Sequence, residues 1–340
     1  MPPHRATLHS YGAAPGRVNV FFAFGAGANY QYRLPIPSDP LMATSKTTLD
    51  ELRRRLDDID DQVHDLLMKR AEVVQQVATT KRGTNTPALR PGREAMILRR
   101  LAGRHAGAFP FPSLVRMWRE MLAATVAMQA KFAVAVYLPE DGNGYWDLAR
   151  DHFGSHTPMT PYQSIGQVIR AVTDGQASVG VLPMPHEDDA DPWWRFFVSD
   201  DETTPRVLAR LPFSGRGNAR SDGDDALAVG RGTLEATGAD HSLIVFETHG
   251  AISRARIFSG LSASKLTCTF FADYKTSRET ALNLIELADF VQPGDPRLLQ
   301  FKAHIGSTTD VERMLSLGSY ATPLSMSKTA QATHLRTRRT

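Results

Sequence analysis

The sequence predicts a multidomain chain in which an all-α three-helix module precedes an α/β region. Apolar residues at 49, 52, 56, 59, 63, 66, 73/74 and 77 recur in threes and fours. That stripe makes one helix about 35 residues long, roughly 50 Å at 1.5 Å per residue. Two shorter helical patterns follow a breaker-rich loop, GTNTPALRPG. Beyond residue 133, short apolar runs such as FAVAVYL and SVGVLPMP alternate with helical segments, the layout of a sheet covered by helices.

The chain has 340 residues, enough for about two or three domains. A net charge of +3 with no concentrated basic face argues against nucleic acid as a partner. Cys268 is the single cysteine, which excludes an internal disulfide framework and suits a reducing compartment, so a cytoplasmic location is expected. No stretch approaches the length of a membrane span. Residues 1–44 read as a disordered extension, with Met42 as a second candidate start. Residues 324–340, ending RTRR, read as a disordered basic tail. Ser45, Thr47 and Thr48 are cap candidates for the long helix.

Three cations on that helix carry the chemistry. Arg70 and Lys81 fall on the apolar stripe itself, where the pattern calls for Leu or Val. A charge forced into an apolar seam needs a counter-charge or a route to the surface. No acidic residue lies four positions away on the same seam, so a small anionic ligand between helices is the expected partner. Arg70 and Lys81 are within about 20° of a whole number of turns and about 16 Å apart along the axis, close enough to share one compact molecule. Arg53 is about 25 Å from Arg70, too far for the same small ligand unless it serves a neighbouring copy of the chain. A helical homodimer with shared sites follows. The bland alternative is that both cations snorkel out of a coiled-coil seam.

The second helix, near 92–105, carries Glu94 beside Ile97, Leu98 and Leu101 on one side. The third, near 113–132, has a predicted stripe of Leu114, Trp118, Met121, Thr125, Met128 and Phe132, with Gln129 one turn beyond Thr125. Two to three cations, a carboxylate, a hydroxyl and an amide suit a small dicarboxylate bearing a hydroxyl.

The runs LDELRRRLDDIDDQVHDLLMKRAEVVQQVATTK, RPGREAMILRRL and REMLAATVAMQ resemble the all-helical chorismate mutases over about 49–131, in loop length and in the separation of polar positions. The resemblance implies a three-helix protomer in an intertwined homodimer, acting on chorismate with no cofactor and no metal. It implies that Arg53 (donated to the partner's site) and Arg70 bind the two carboxylates, and that Lys81 and Gln129 donate to the ether oxygen. Glu94 is implied as the acceptor for the ring hydroxyl, with Arg93 and Thr125 in supporting polar contact. Where some members place an Asp near the hydroxyl, this chain has Arg90. Chorismate to prephenate moves no proton, so orientation and pre-placed donors suffice.

Residues 133–238 resemble the catalytic domain of prephenate dehydratase, an α/β domain with periplasmic-binding-protein-like lobes, in layout alone. Asp224-Asp225-Ala226 stands where that family has Thr-Arg-Phe, Pro183-Met184-Pro185-His186-Glu187 where it has Pro-Ile-Glu-Asn-Ser, and Asn143-Gly144-Tyr145-Trp146 where it has Gly-Thr-Tyr-Ser. These losses imply a degenerate domain. Residues 239–323 resemble the α+β ACT regulatory domain, which implies an aromatic amino acid effector, although a Glu-Ser-Arg-Pro stretch is not visible. Gly215-Arg216-Gly217 reads as a turn, the acidic run His186–Asp191 as a solvated loop, and Trp193, Trp194, Phe196 and Phe197 as core or interface. The leading expectation is a chorismate mutase. The alternatives are a bifunctional mutase–dehydratase, an isochorismate pyruvate lyase on the same scaffold, and a non-catalytic sensor of shikimate-pathway metabolites.

Overall fold

The computed structural model describes residues 47–81, 87–140, 142–201, 203–215, 225–249, 252–277, 279–306 and 311–325. The expected N-terminal extension and most of the expected basic tail lie outside them, as do Arg216 and Gly217 of the predicted turn. The chain divides into two units, Met1–Asp65 and Leu66–Thr340.

The described part of the first unit is the start of helix α1, which runs Leu49–Thr80. Its first turn is a reciprocal capping box. The Thr48 N–H donates to Glu51 Oε2 at 2.8 Å, and the Glu51 N–H donates to Thr48 Oγ1 at 3.3 Å. None of the 32 residues of α1 is buried. Leu49, Leu56 and Ile59 are exposed by 62%, 60% and 52%, so the predicted stripe exists and is left open by the described residues.

The second unit adds helices α2 (Pro91–Arg104) and α3 (Phe111–Ala127), each with proline in its first turn, where the missing N–H costs nothing. An α/β lobe follows: β1 (Val134–Tyr137), α4 (Gly144–Phe153), β2 (Met159–Tyr162), α5 (Ile165–Thr173), β3 (Val179–Pro183), β4 (Arg206–Leu211) and β5 (Ala226–Gly230). The chain closes with β6 (Asp240–His249), α6 (Arg254–Ala263), β7 (Cys268–Lys275), β8 (Thr280–Leu287), α7 (Pro296–Ile305) and β9 (Val311–Ala321). The helix α4 and the strand β2 were not legible in the sequence. The strand is a short, largely exposed edge containing Pro161, so it shows no apolar alternation.

The nine strands of the described residues form one sheet in the order β2-β1-β3-β5-β4-β9-β6-β8-β7. β1 is parallel to β2 and β3, whereas β5 is antiparallel to β3 and β4. The last four strands with α6 and α7 make a β-α-β-β-α-β unit with β6 and β8 central. The expectation of lobes in the plural is corrected: among the described residues there is one five-stranded lobe. The expected boundary at 238/239 is crossed by a shared core. Ala135, Leu182, Val207 and Leu227 pack in one cluster with Leu243, Leu284, Leu317 and Tyr320. Strand alternation explains how: Leu243 and Val245 of β6 face that cluster, while Ile244 and Phe246 face a second one under α6 and α7. Trp193, Trp194 and Phe197 are buried in the shared core, but Phe196 is 55% exposed. Leu324, expected in the disordered tail, is ordered: it donates its N–H to Phe213 O at 2.7 Å and packs with Phe213.

The two halves of the sheet meet where β9 runs parallel to β4, with Val207 opposite Gly318. Gly318 has φ +134°, and a Cβ there would lie 2.2 Å from Val207 O. Only glycine permits that approach. Gly318→Ala should lower stability by at least about 1–3 kcal/mol, read as a drop in the urea midpoint. An unchanged midpoint would show that the junction tolerates a side chain.

Candidate active site

α2 and α3 reach the sheet through arginine. Arg99 of α2 donates to Thr237 Oγ1 at 2.6 Å, Ala239 O at 2.7 Å and Thr322 O at 2.8 Å. Arg90 pairs with Glu235, and Arg116 of α3 with Asp151 of α4. Glu120 accepts from the Ser155 N–H at 2.9 Å. The apolar contact between these helices and the sheet is small, centred on Ala95, Leu98, Phe111, Val115 and Phe213.

Within that interface sits an ion pair. Arg119 Nη1 of α3 donates to Glu94 Oε2 of α2 at 2.9 Å, with the two side chains 5% and 11% exposed. His152 Nε2 of α4 lies 3.4 Å from the same Nη1, and the guanidinium sits 5.3 Å from the centroid of Phe213. Burial pushes the Glu94 carboxyl above the usual range, and Arg119 opposes that rise. Burial and the neighbouring Arg119 hold His152 well below its ordinary value, so its ring is neutral and Nε2 can accept from the guanidinium.

The seven predicted site residues are placed as follows. Arg53 is exposed and pairs with Asp50 at 3.2 Å on its own helix. Arg70 is half-buried, its guanidinium pKa lowered by desolvation, and its Nη1 is buried with no hydrogen-bond partner among the described residues. Lys81 Nζ donates to Pro87 O at 3.3 Å. Arg93 is exposed on the first turn of α2, and Glu94 is engaged by Arg119. Thr125 is buried and donates Oγ1 to Leu122 O at 2.8 Å; Gln129, just past the end of α3, donates Nε2 to Thr125 O at 2.8 Å. The first is a back-bond to a carbonyl inside the helix, and the second supplies a donor to a carbonyl of the last turn.

The predicted face of α3 is corrected by rotation. Its buried residues are Phe111, Val115, Arg119, Leu122, Thr125 and Val126, so the stripe advances by about one position. The helix packs on both α2 and α4, and the seam lies between those contacts. Arg119 and His152 were missed in the sequence. The available signal was an arginine at i+4 from Val115 and i−3 from Leu122, on the same helical face. Asp225, which stands where the resembled family has arginine, receives two hydrogen bonds from Arg210, at 3.1 and 2.6 Å. The carboxylates of the 186–191 loop are likewise partly spent in ion pairs, Glu187 with Arg254 and Asp191 with Arg195.

Residues 52–130, which hold nearly all of the three helices, match the family model described as chorismate mutase type II. The match spans all seven predicted site residues. Among curated proteins, a bifunctional chorismate mutase/prephenate dehydratase from Stutzerimonas stutzeri is 30% identical over 146 residues, 42% of this chain and 40% of that protein. One of the same description from Aquifex aeolicus is 31% identical over 140 residues, 40% of this chain and 38% of that protein. The chain therefore spans about two fifths of the length of the relatives it matches. A solved prephenate dehydratase from Arthrobacter aurescens in complex with L-Phe overlaps 61% of this chain and 97% of its own, at 12% identity and a TM-score of 0.42, which defines no shared fold. No helix among the described residues is long and apolar enough to cross a membrane.

Glu94→Ala leaves Arg119 buried without its counter-charge, so the expected loss is about 3–5 kcal/mol. The double change Glu94→Met with Arg119→Met should recover most of it, and a double-mutant cycle of denaturant midpoints checks this. His152 also makes stability depend on pH. Its folded pKa lies below the unfolded value of about 6.5, so the unfolded chain binds the extra proton. Stability is therefore full above about pH 6.5 and falls as pH drops below it. His152→Asn should make that acid dependence shallower in urea titrations at pH 7.5 and 5.5.

Proposed function

We propose that the chain is a chorismate mutase that converts chorismate to prephenate in the biosynthesis of phenylalanine and tyrosine. The observation that carries this reading is the family match over residues 52–130, with Arg53, Arg70, Lys81, Arg93, Glu94, Thr125 and Gln129 all present. Arg70 adds physical support. A buried guanidinium nitrogen with no acceptor costs free energy, and a ligand carboxylate supplies one. Lys81 and the Gln129 amide are N–H donors, the kind of group that stabilises charge on a departing ether oxygen. Thr125 and Arg93 support the ligand, and Glu94 receives its hydroxyl.

The reading includes a homodimer in which Arg53 completes the site of the neighbouring copy. The exposed stripe of α1 supports it, because a helix that long gains most of its stability from covering such a face. A cytoplasmic location belongs to the same reading. The sheet half is read as a degenerate dehydratase-like lobe followed by an ACT-like domain that binds an aromatic amino acid. A cavity of about 690 Å³ in that last domain supports the effector, lined by Arg254 and Lys275, by Asp273 and Glu279, and by Ile257 and Phe271. Those groups match a zwitterion with an apolar side chain.

Purified protein should consume chorismate at a rate flat from about pH 6 to 8, since the Gln129 amide donates at any pH. Lys81→Ala should lower kcat by about 100-fold or more while leaving a dimer by sedimentation velocity. Retained turnover in that variant removes Lys81 from the chemistry. Phenylpyruvate formed from added prephenate would support the bifunctional alternative that the names of the curated relatives suggest.

A further inference from the structure

Resting on the mutase reading, we propose that Arg119 is the positioning residue for Glu94: it clamps one carboxylate oxygen and leaves the other as the acceptor for the substrate hydroxyl. The bond runs from Arg119 Nη1 to Glu94 Oε2, and Oε1 accepts no hydrogen bond from the described residues. A free glutamate side chain samples several rotamers; this one is tied at its tip to a guanidinium that is itself immobilised. Three separate elements hold that guanidinium: α3 carries it, His152 of α4 contacts the same nitrogen at 3.4 Å, and Phe213 beyond β4 lies under it at 5.3 Å. Such support from behind a site group is what keeps its geometry within the tolerance that turnover needs.

The charge environment singles out this pair. Arg119 is the charged group that faces Glu94, and burial disfavours the ionised carboxylate without it. On α4, the neutral His152 faces Arg119, Asp151 is taken by Arg116, and Asp147 lies 3.9 Å from Arg150. On β4, Arg210 is taken by Asp225, and Arg99 of α2 is spent on Thr237, Ala239 and Thr322. Arg119 therefore governs both the aim of Glu94 and its charge. An ionised acceptor binds a hydroxyl more strongly than a protonated one.

The test measures kcat and KM for chorismate from pH 6 to 9 on the full chain and its Arg119→Met, Arg119→Gln and Arg119→Lys variants. Arg119→Met should lose activity as pH falls, with kcat/KM about tenfold lower at pH 6 than at pH 8.5, because burial, no longer opposed by Arg119, favours the protonated Glu94 carboxyl. Arg119→Gln keeps a donor and removes the charge; it should show the same acid limb and decides the matter if the Met variant does not fold. Arg119→Lys should restore a flat profile. Adding Glu94→Gln to the charge-free variant should abolish the limb. A wild type active at all pH values beside a flat charge-free variant, however much slower, overturns the clamp alone. A wild type that consumes no chorismate at any pH overturns the mutase reading and the clamp with it.

Discussion

The second unit depends on charge held away from water. Glu94 and Arg119 are almost wholly enclosed, and either one alone would be an uncompensated buried charge. Together they join α2 to α3, and through His152 they reach α4. The surrounding apolar cluster is modest, so the attachment of the two helices to the sheet rests heavily on arginine: Arg90, Arg99, Arg116 and Arg119 each bridge separate elements. Guanidinium suits this work because its planar fork serves several acceptors in fixed directions.

The sheet uses the same chemistry at its centre. Tyr320 of β9 donates to Glu286 of β8, whose other oxygen accepts from Thr269 Oγ1 at 2.6 Å, while Arg210 of β4 reaches Tyr320 at 3.4 Å and Asp225 at 2.6 Å. Burial and the adjoining carboxylate push the Tyr320 phenol upward, so it remains a donor at any physiological pH. This chain of contacts crosses the junction between the two halves of the sheet, and the shared core under it makes them one body.

α1 is built on the opposite terms. It has a capped start and a long apolar stripe interrupted by Arg70, and no residue of it is buried. An apolar face of that length in water marks an interaction surface. A second helix of like pattern would bury it, and the buried nitrogen of Arg70 sets a further requirement for an acceptor.

Much of this was legible in the residues. The spacing of apolar positions located α1 to within two residues at either end, and the runs FAVAVYL and SVGVLPMP marked β1 and β3. Local periodicity alone determines such elements, because each repeats over a few residues. The face that α3 turns inward, the use of Asp225 as a partner for Arg210, and the capture of Glu94 by Arg119 were decided only by tertiary structure. Glu94 and Arg119 are 25 positions apart, and Arg119 and His152 are 33 apart. Which charge meets which is set by how helices pack, and no spacing within one helix encodes that.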